Sequence, residues 1–172
     1  MPDDLTAALK QPGLDITVRT GSGTARTPLA AFDAALLSAG VANFNLVTLS
    51  SVIPPHSRVR VVEGTTLTGG HGDRLYCVLS AAYAERPGEI ARAGLGWITD
   101  ATTGGLFVEH HGGSEESLGE QIDLSLADMA ANRGGGYGNV QKVMASAHCV
   151  DLPVCALTIA AYRIAPWFSD EH

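Results

Sequence analysis

Two long apolar segments, Arg74 to Glu85 and Ile90 to Thr99, stand on either side of Arg86-Pro87-Gly88-Glu89. The Pro-Gly pair favours a tight reversal between extended arms, so this stretch predicts a long hairpin and commits the chain to a sheet-based fold. Further strands follow from the same reading. Asp15-Ile16-Thr17-Val18-Arg19 alternates in character and is closed by Gly21-Ser22-Gly23, which predicts a short strand ending in a turn. Asn43 to Ile53 is rich in β-branched residues and is stopped by Pro54-Pro55, reading as one strand. Gly104 to His111 continues the sheet, with Phe107, Glu109 and His111 on one face and Leu106, Val108 and His110 on the other. Val140 to Val150 and Val154 to Ile164 read as two closing strands joined through Asp151-Leu152-Pro153.

Helices are few. Thr27 caps the first and Pro28 suits its first turn. Leu29, Phe32, Leu36 and Ala39 recur at helical spacing before Gly40 ends it. Asp33 lies one step from Phe32 and one turn from Leu36 and Leu37, at the edge of that face, where it is expected to point into a cleft. The second helix runs from Ser114 to Ala131. Ser117 and Glu120 match a capping box, Glu115 and Glu116 favour the N-terminal dipole, and Leu118, Ile122, Leu126 and Met129 form one stripe. The pattern is α+β, with antiparallel or mixed sheets covered by two main helices, in a single domain over residues 1–172. A chain of 172 residues can bury roughly 70% of its unfolded surface in one core.

Charge removes several classes of function. Lys plus Arg total 11 against 18 for Asp plus Glu, a net charge of −7, so no basic footprint for nucleic acid or for an anionic membrane exists. The apolar run from Leu152 to Ala161 is broken by Pro153 and falls short of the ~20 residues that span a bilayer. Met1-Pro2-Asp3-Asp4 carries acids where an export signal carries bases, so a cytoplasmic location is expected. Cys77, Cys149 and Cys155 show no C-x-x-C spacing and read as buried small hydrophobes. P-loop, G-x-S-x-G, H-E-x-x-H and dinucleotide signatures are missing. Gly134-Gly135-Gly136-Tyr137-Gly138 follows a helix and reads as its C-cap and turn. His110 and His111, as strand neighbours, point to opposite faces and cannot share an ion, so no metal is expected.

The informative segment is Asn45-Leu46-Val47-Thr48-Leu49-Ser50-Ser51-Val52-Ile53-Pro54-Pro55, adjacent serines between stiff apolar residues and paired prolines. It resembles the self-cleavage site of pyruvoyl-dependent arginine decarboxylases. The resemblance extends from Phe32 and Asp33 through Gly40, past Gly104 to Gly113, and into Glu115-Glu116. It implies a layered α/β sandwich. It also implies that Ser51 Oγ attacks the Ser50 carbonyl to form an ester. Elimination then leaves dehydroalanine at residue 51, and hydrolysis turns that residue into a pyruvoyl group with release of ammonia. The products are chains of residues 1–50 and 51–172, with the cofactor derived from Ser51. Pro54 and Pro55 remove two backbone donors and fix φ, so they can hold the junction out of ordinary strand pairing.

The resemblance further implies decarboxylation of L-arginine to agmatine through a Schiff base, with the ketone accepting electrons as CO₂ leaves. Glu109 takes the family's place for the proton donor, in Gly105-Leu106-Phe107-Val108-Glu109, where Phe107 and neighbouring apolar strands are expected to desolvate it. Asp33 matches the carboxylate that reads a guanidinium. Leu36 lines the aliphatic part of the substrate, and Asn45 matches an asparagine that assists cleavage or orients groups near the new carbonyl. Phe44 stands where a smaller aliphatic residue is usual and His56 where glycine is common. The family assembles as trimers, sometimes doubled, with the site between subunits. Roles in polyamine supply and in acid tolerance both fit the reaction. Two alternatives stand beside this reading: the same chemistry on another amino acid, and an uncleaved relative serving as a binding or scaffold subunit.

Overall fold

The computed structural model describes residues 13–168, so the Met1-Pro2-Asp3-Asp4 start lies outside the described residues. In chain order the elements are β1 (Asp15–Thr24), α1 (Pro28–Ala39), β2 (Asn45–Thr48), β3 (Val52–Ile53), β4 (Arg58–Val61), β5 (Arg74–Ala84), β6 (Ile90–Asp100), β7 (Gly104–His111), α2 (Glu115–Ala131), β8 (Gln141–His148) and β9 (Val154–Ala165). They build two sheets. The first is mixed, in the order β2-β5-β9-β1-β4, with β2 parallel to β5 and β1 parallel to β4. The second is antiparallel, in the order β3-β7-β6-β8.

The sheets stack face to face, and each outer face carries one helix, giving the α/β sandwich in four layers. Ile16, Val18, Ile53, Val78, Leu95, Trp97, Phe107, Ala160 and Tyr162 fill the space between sheets. Alternation sends the intervening residues outward: Leu75, Cys77, Leu157 and Ile159 meet Ala31, Ala35 and Leu36 of α1. Leu106 and Val108 meet Leu118, Ile122 and Leu126 of α2. Facing partners on both sides of each sheet explain why so much of the chain is apolar and so little is charged. All three cysteines are buried and unpaired, and burial pushes the Cys77 thiol up to about 12.

Several expectations change. β5 and β6 do not form a hairpin, because the turn at Arg86–Glu89 carries the chain from the first sheet to the second and the two strands face each other across the core. β1 runs through Gly21-Ser22-Gly23 to Thr24 instead of turning there. Those glycines are where α1 rests: a Cβ on Gly21 would sit 2.3 Å from the Ala35 carbonyl oxygen, and one on Gly23 2.3 Å from that of Ala31. The helix therefore packs through small residues, Ala31, Ala35 and Ala39 with Leu36, and Leu29 is 78% exposed instead of buried. Gly23→Ala should cost about 1–3 kcal/mol through forced separation of α1 from β1, seen as a lower denaturant midpoint. An unchanged midpoint would show that the contact yields.

The caps of α1 are as read, Thr27 accepting from Ala30 N–H at 3.2 Å and Gly40 left-handed at φ 74°. In α2 the capping box shifts by one turn, with Ser114 as the N-cap and Ser117 as its reciprocal partner. The four-residue β4, Arg58-Val59-Arg60-Val61, was not anticipated, although its strict alternation is a strand signal. No helix among the described residues is long and apolar enough to cross a membrane.

Candidate active site

The segment read as one strand from Asn43 to Ile53 is two strands in different sheets. β2 follows β5 in the first sheet, and Leu49 N–H extends that pairing to the Cys77 carbonyl at 2.9 Å. Three residues later β3 pairs with β7 in the second sheet, Val52 opposite Leu106 and Ile53 opposite Gly105. The crossing is made at Ser50 and Ser51, and Ser51 takes φ 73°. A non-glycine residue in this left-handed region costs on the order of 1–3 kcal/mol, held in place here by ladders on both sides. His56 also has positive φ, 62°, which explains why glycine suits that position.

Ser51 is only 7% exposed. Its hydroxyl donates to the Glu109 carboxylate, with Oε1 at 2.8 Å and Oε2 at 2.9 Å. Its carbonyl accepts from Phe107 N–H at 2.8 Å. The next carbonyl, of Val52, accepts from the Tyr162 hydroxyl at 3.0 Å. Phe107 and Glu109 therefore share the inner face of β7, as strand alternation predicts. Trp97, Phe107 and Tyr162 stack in tilted pairs, with ring centroids 5.9 Å apart in each, and make an apolar floor. Burial, followed by the nearby Glu109 carboxylate, holds the Tyr162 hydroxyl well above its ordinary pKa, so it remains a donor. Glu109 itself is exposed within one chain, unlike the desolvated carboxyl expected from its neighbours.

A cavity of about 610 Å³ opens on the other side of the junction. Leu49, Ser50, Val52 and Pro54 line it from the crossing segment, and Tyr76, Tyr162 and Arg163 from the first sheet. Thus Ser50, Ser51 and Glu109 come together within one chain. Asn45, Asp33 and Leu36 do not join them. Asn45 opens the far end of β2, where its amide donates to the Gly72 carbonyl at 2.7 Å. Asp33 is exposed on α1 over the outer face of the first sheet, and Leu36 packs into the core beneath that helix. Of the two histidines on β7, His110 faces α2, its Nε2 lying 2.8 Å from Ser125 Oγ, while His111 is exposed.

Sequence reasoning missed Tyr162 and the Phe107 N–H. The first had a signal, since a tyrosine within an Ala-rich apolar strand must find a partner for its hydroxyl when buried. The second is a backbone group, set by the β3 to β7 register alone. Tyr162→Phe leaves the Val52 carbonyl unpaired and should lower stability by about 1–3 kcal/mol, measured by urea unfolding. Coincident unfolding curves would show that the bond contributes nothing.

The pyruvoyl group implied by the resemblance would be made from residue 51, and the surroundings fit it. The side-chain end faces Glu109, the carbonyl end already has a donor, and Ser50, which cleavage would release, borders open space.

Comparison with known proteins agrees. The model of the family described as pyruvoyl-dependent arginine decarboxylase matches residues 15–161. A pyruvoyl-dependent arginine decarboxylase of Halobacterium salinarum is 42% identical over 94 residues, 55% of this chain and 58% of its own, so that match spans under two thirds of the relative. The similarly named protein of Methanocaldococcus jannaschii is 28% identical over 163 residues, 91% of this chain and 93% of its own. That of Thermoplasma volcanium is 30% identical over 125 residues, 70% and 69% of the two chains. With most of its length matched, the two-sheet sandwich included, the chain belongs to the pyruvoyl-dependent arginine decarboxylase family.

Proposed function

We propose that the chain cuts itself between Ser50 and Ser51, leaving residues 1–50 and residues 51–172 headed by a pyruvoyl group, and that the mature protein decarboxylates L-arginine to agmatine. The observation that supports this best is Ser51 itself, a left-handed residue at a sheet crossing with its hydroxyl on a carboxylate. Glu109 accepts from that hydroxyl and so orients it for attack on the Ser50 carbonyl. Strain at residue 51 favours opening of the backbone there. Phe107 N–H and Tyr162 hold the two following carbonyls, so the new end of the long chain stays where the cut was made.

Membership in a pyruvoyl-dependent family makes the cofactor a covalently carried pyruvoyl group, which supplies an electrophilic carbonyl able to accept the electron pair left by CO₂. In turnover Glu109 returns a proton to the carbon that lost CO₂. The Trp97, Phe107 and Tyr162 floor excludes water beneath it, and Phe107 N–H steadies negative charge on the residue 51 carbonyl oxygen.

Arginine as substrate comes from the names of the relatives. Asp33 reads its guanidinium, Leu36 flanks the aliphatic stem, and Asn45 orients groups near the new carbonyl. Because these three stand apart from Ser51 within one chain, the reading brings them from a neighbouring copy, in a homotrimer or doubled trimer in the cytoplasm. A neighbour at this face would also cover Glu109, which is exposed within one chain. Denaturing mass measurement tests the cut: two fragments meeting at residues 50 and 51 are expected. Borohydride reduction with arginine present should then add substrate mass to the 51–172 fragment. A fragment that takes up none would exclude a carbonyl at its end.

A further inference from the structure

We propose that Arg163 receives the carboxylate that self-cleavage creates at Ser50. The inference rests on the cut proposed above. In the elimination step a base removes the Cα proton of residue 51, the Cβ–Oγ bond breaks, and Ser50 leaves as a carboxylate that keeps the oxygen. A new anion is thus released at the edge of the cavity that Ser50 borders. Among the described residues lining that cavity, Arg163 carries the one formal charge, and its guanidinium fork matches a carboxylate.

The backbone shows why Arg163 points there. Along β9, Ala161 faces α1 and Tyr162 faces the second sheet, so strict alternation would send Arg163 outward to the helix layer. The β5 to β9 ladder is interrupted between Tyr76 and Cys77, which pair with Arg163 and Ala161, leaving Tyr162 as the extra residue. This bulge resets the phase. Arg163 comes opposite Tyr76 on the inner side, and Ile164 comes opposite Leu75 on the outer side, where it packs against the core under α1. Bulges next to reaction sites commonly re-aim a side chain in this way. Before cleavage the guanidinium has no carboxylate to meet among the described residues, whose ion pairs are Arg60 with Asp15 and Lys142 with Asp123.

The test compares Arg163→Met in two backgrounds, the normal chain, which splits, and Ser51→Ala, which does not. The expected result is a melting temperature about 2–4 °C lower in the split protein, near-complete recovery with Arg163→Lys, and a change within about 1 °C in the unsplit background. Equal losses in both backgrounds would make Arg163 a prop of the fold and overturn the proposal, as would no loss in either. If Arg163→Met fails to split, the proposal stands only when Arg163→Lys splits and the Ser51→Ala, Arg163→Met chain melts normally; any other combination overturns it. A wild-type chain that stays whole would instead refute the cut itself.

Discussion

With Ser51 replaced by alanine, the protein should remain one chain of 17.9 kDa under denaturing conditions and form no agmatine. No β-oxygen remains to attack the Ser50 carbonyl, so neither ester nor elimination can follow. The substitution removes one hydroxyl bonded to Glu109 and leaves both flanking ladders intact, so the variant should fold with the wild-type circular dichroism spectrum. Appearance of the normal fragments from this variant would refute the route through Ser51 Oγ.

Glu109→Gln separates cleavage from turnover. Glutamine keeps an acceptor for the Ser51 hydroxyl, so the chain should still split, though its amide cannot pass a proton to the substrate carbon. Turnover per split chain should fall by about 10²- to 10⁴-fold, the range that a positioned general acid contributes. Quantifying fragments and agmatine in the same sample keeps the two effects apart. Unchanged turnover per split chain would remove Glu109 from the reaction.

The sequence disclosed the elements whose signals are local. Thr27, Pro28 and Gly40 bound α1 because each satisfies or terminates helical backbone by its own chemistry. The alternation of Leu106 to His111 placed Phe107 and Glu109 on one face, and that face is where Ser51 lies. What escaped depended on partners distant in the chain. Pro87 and Gly88 announce a reversal but cannot say whether the returning strand pairs in the same sheet or crosses to another. Leu29 looks like a core residue until the glycines of β1 bring α1 so close that alanines meet the strand and Leu29 is left outside. Asn43 to Ile53 has the composition of one strand, and its division at Ser51 follows from two ladders, to β5 and β7, that are set elsewhere. Ser51 and Glu109, which the structure brings together, were named through resemblance. Tyr162 and Arg163 were not, since a bulge of one residue decides which way Arg163 faces.

The crossing between sheets has a consequence for the cut proposed between Ser50 and Ser51. Residues 1–50 contribute β1, α1 and β2, and β1 lies between β9 and β4, while β2 borders β5, all three supplied by residues 51–172. The shorter polypeptide of a cut chain would thus be interleaved with the longer one, with no separate core to retreat into. Once denatured, a protomer cut in this way would have to reassemble from two polypeptides, so its recovery would be second order and slow on dilution, whereas an uncut protomer would fold in a step independent of concentration. A single peptide bond would thereby divide a protomer that folds on its own from one that must find its other half.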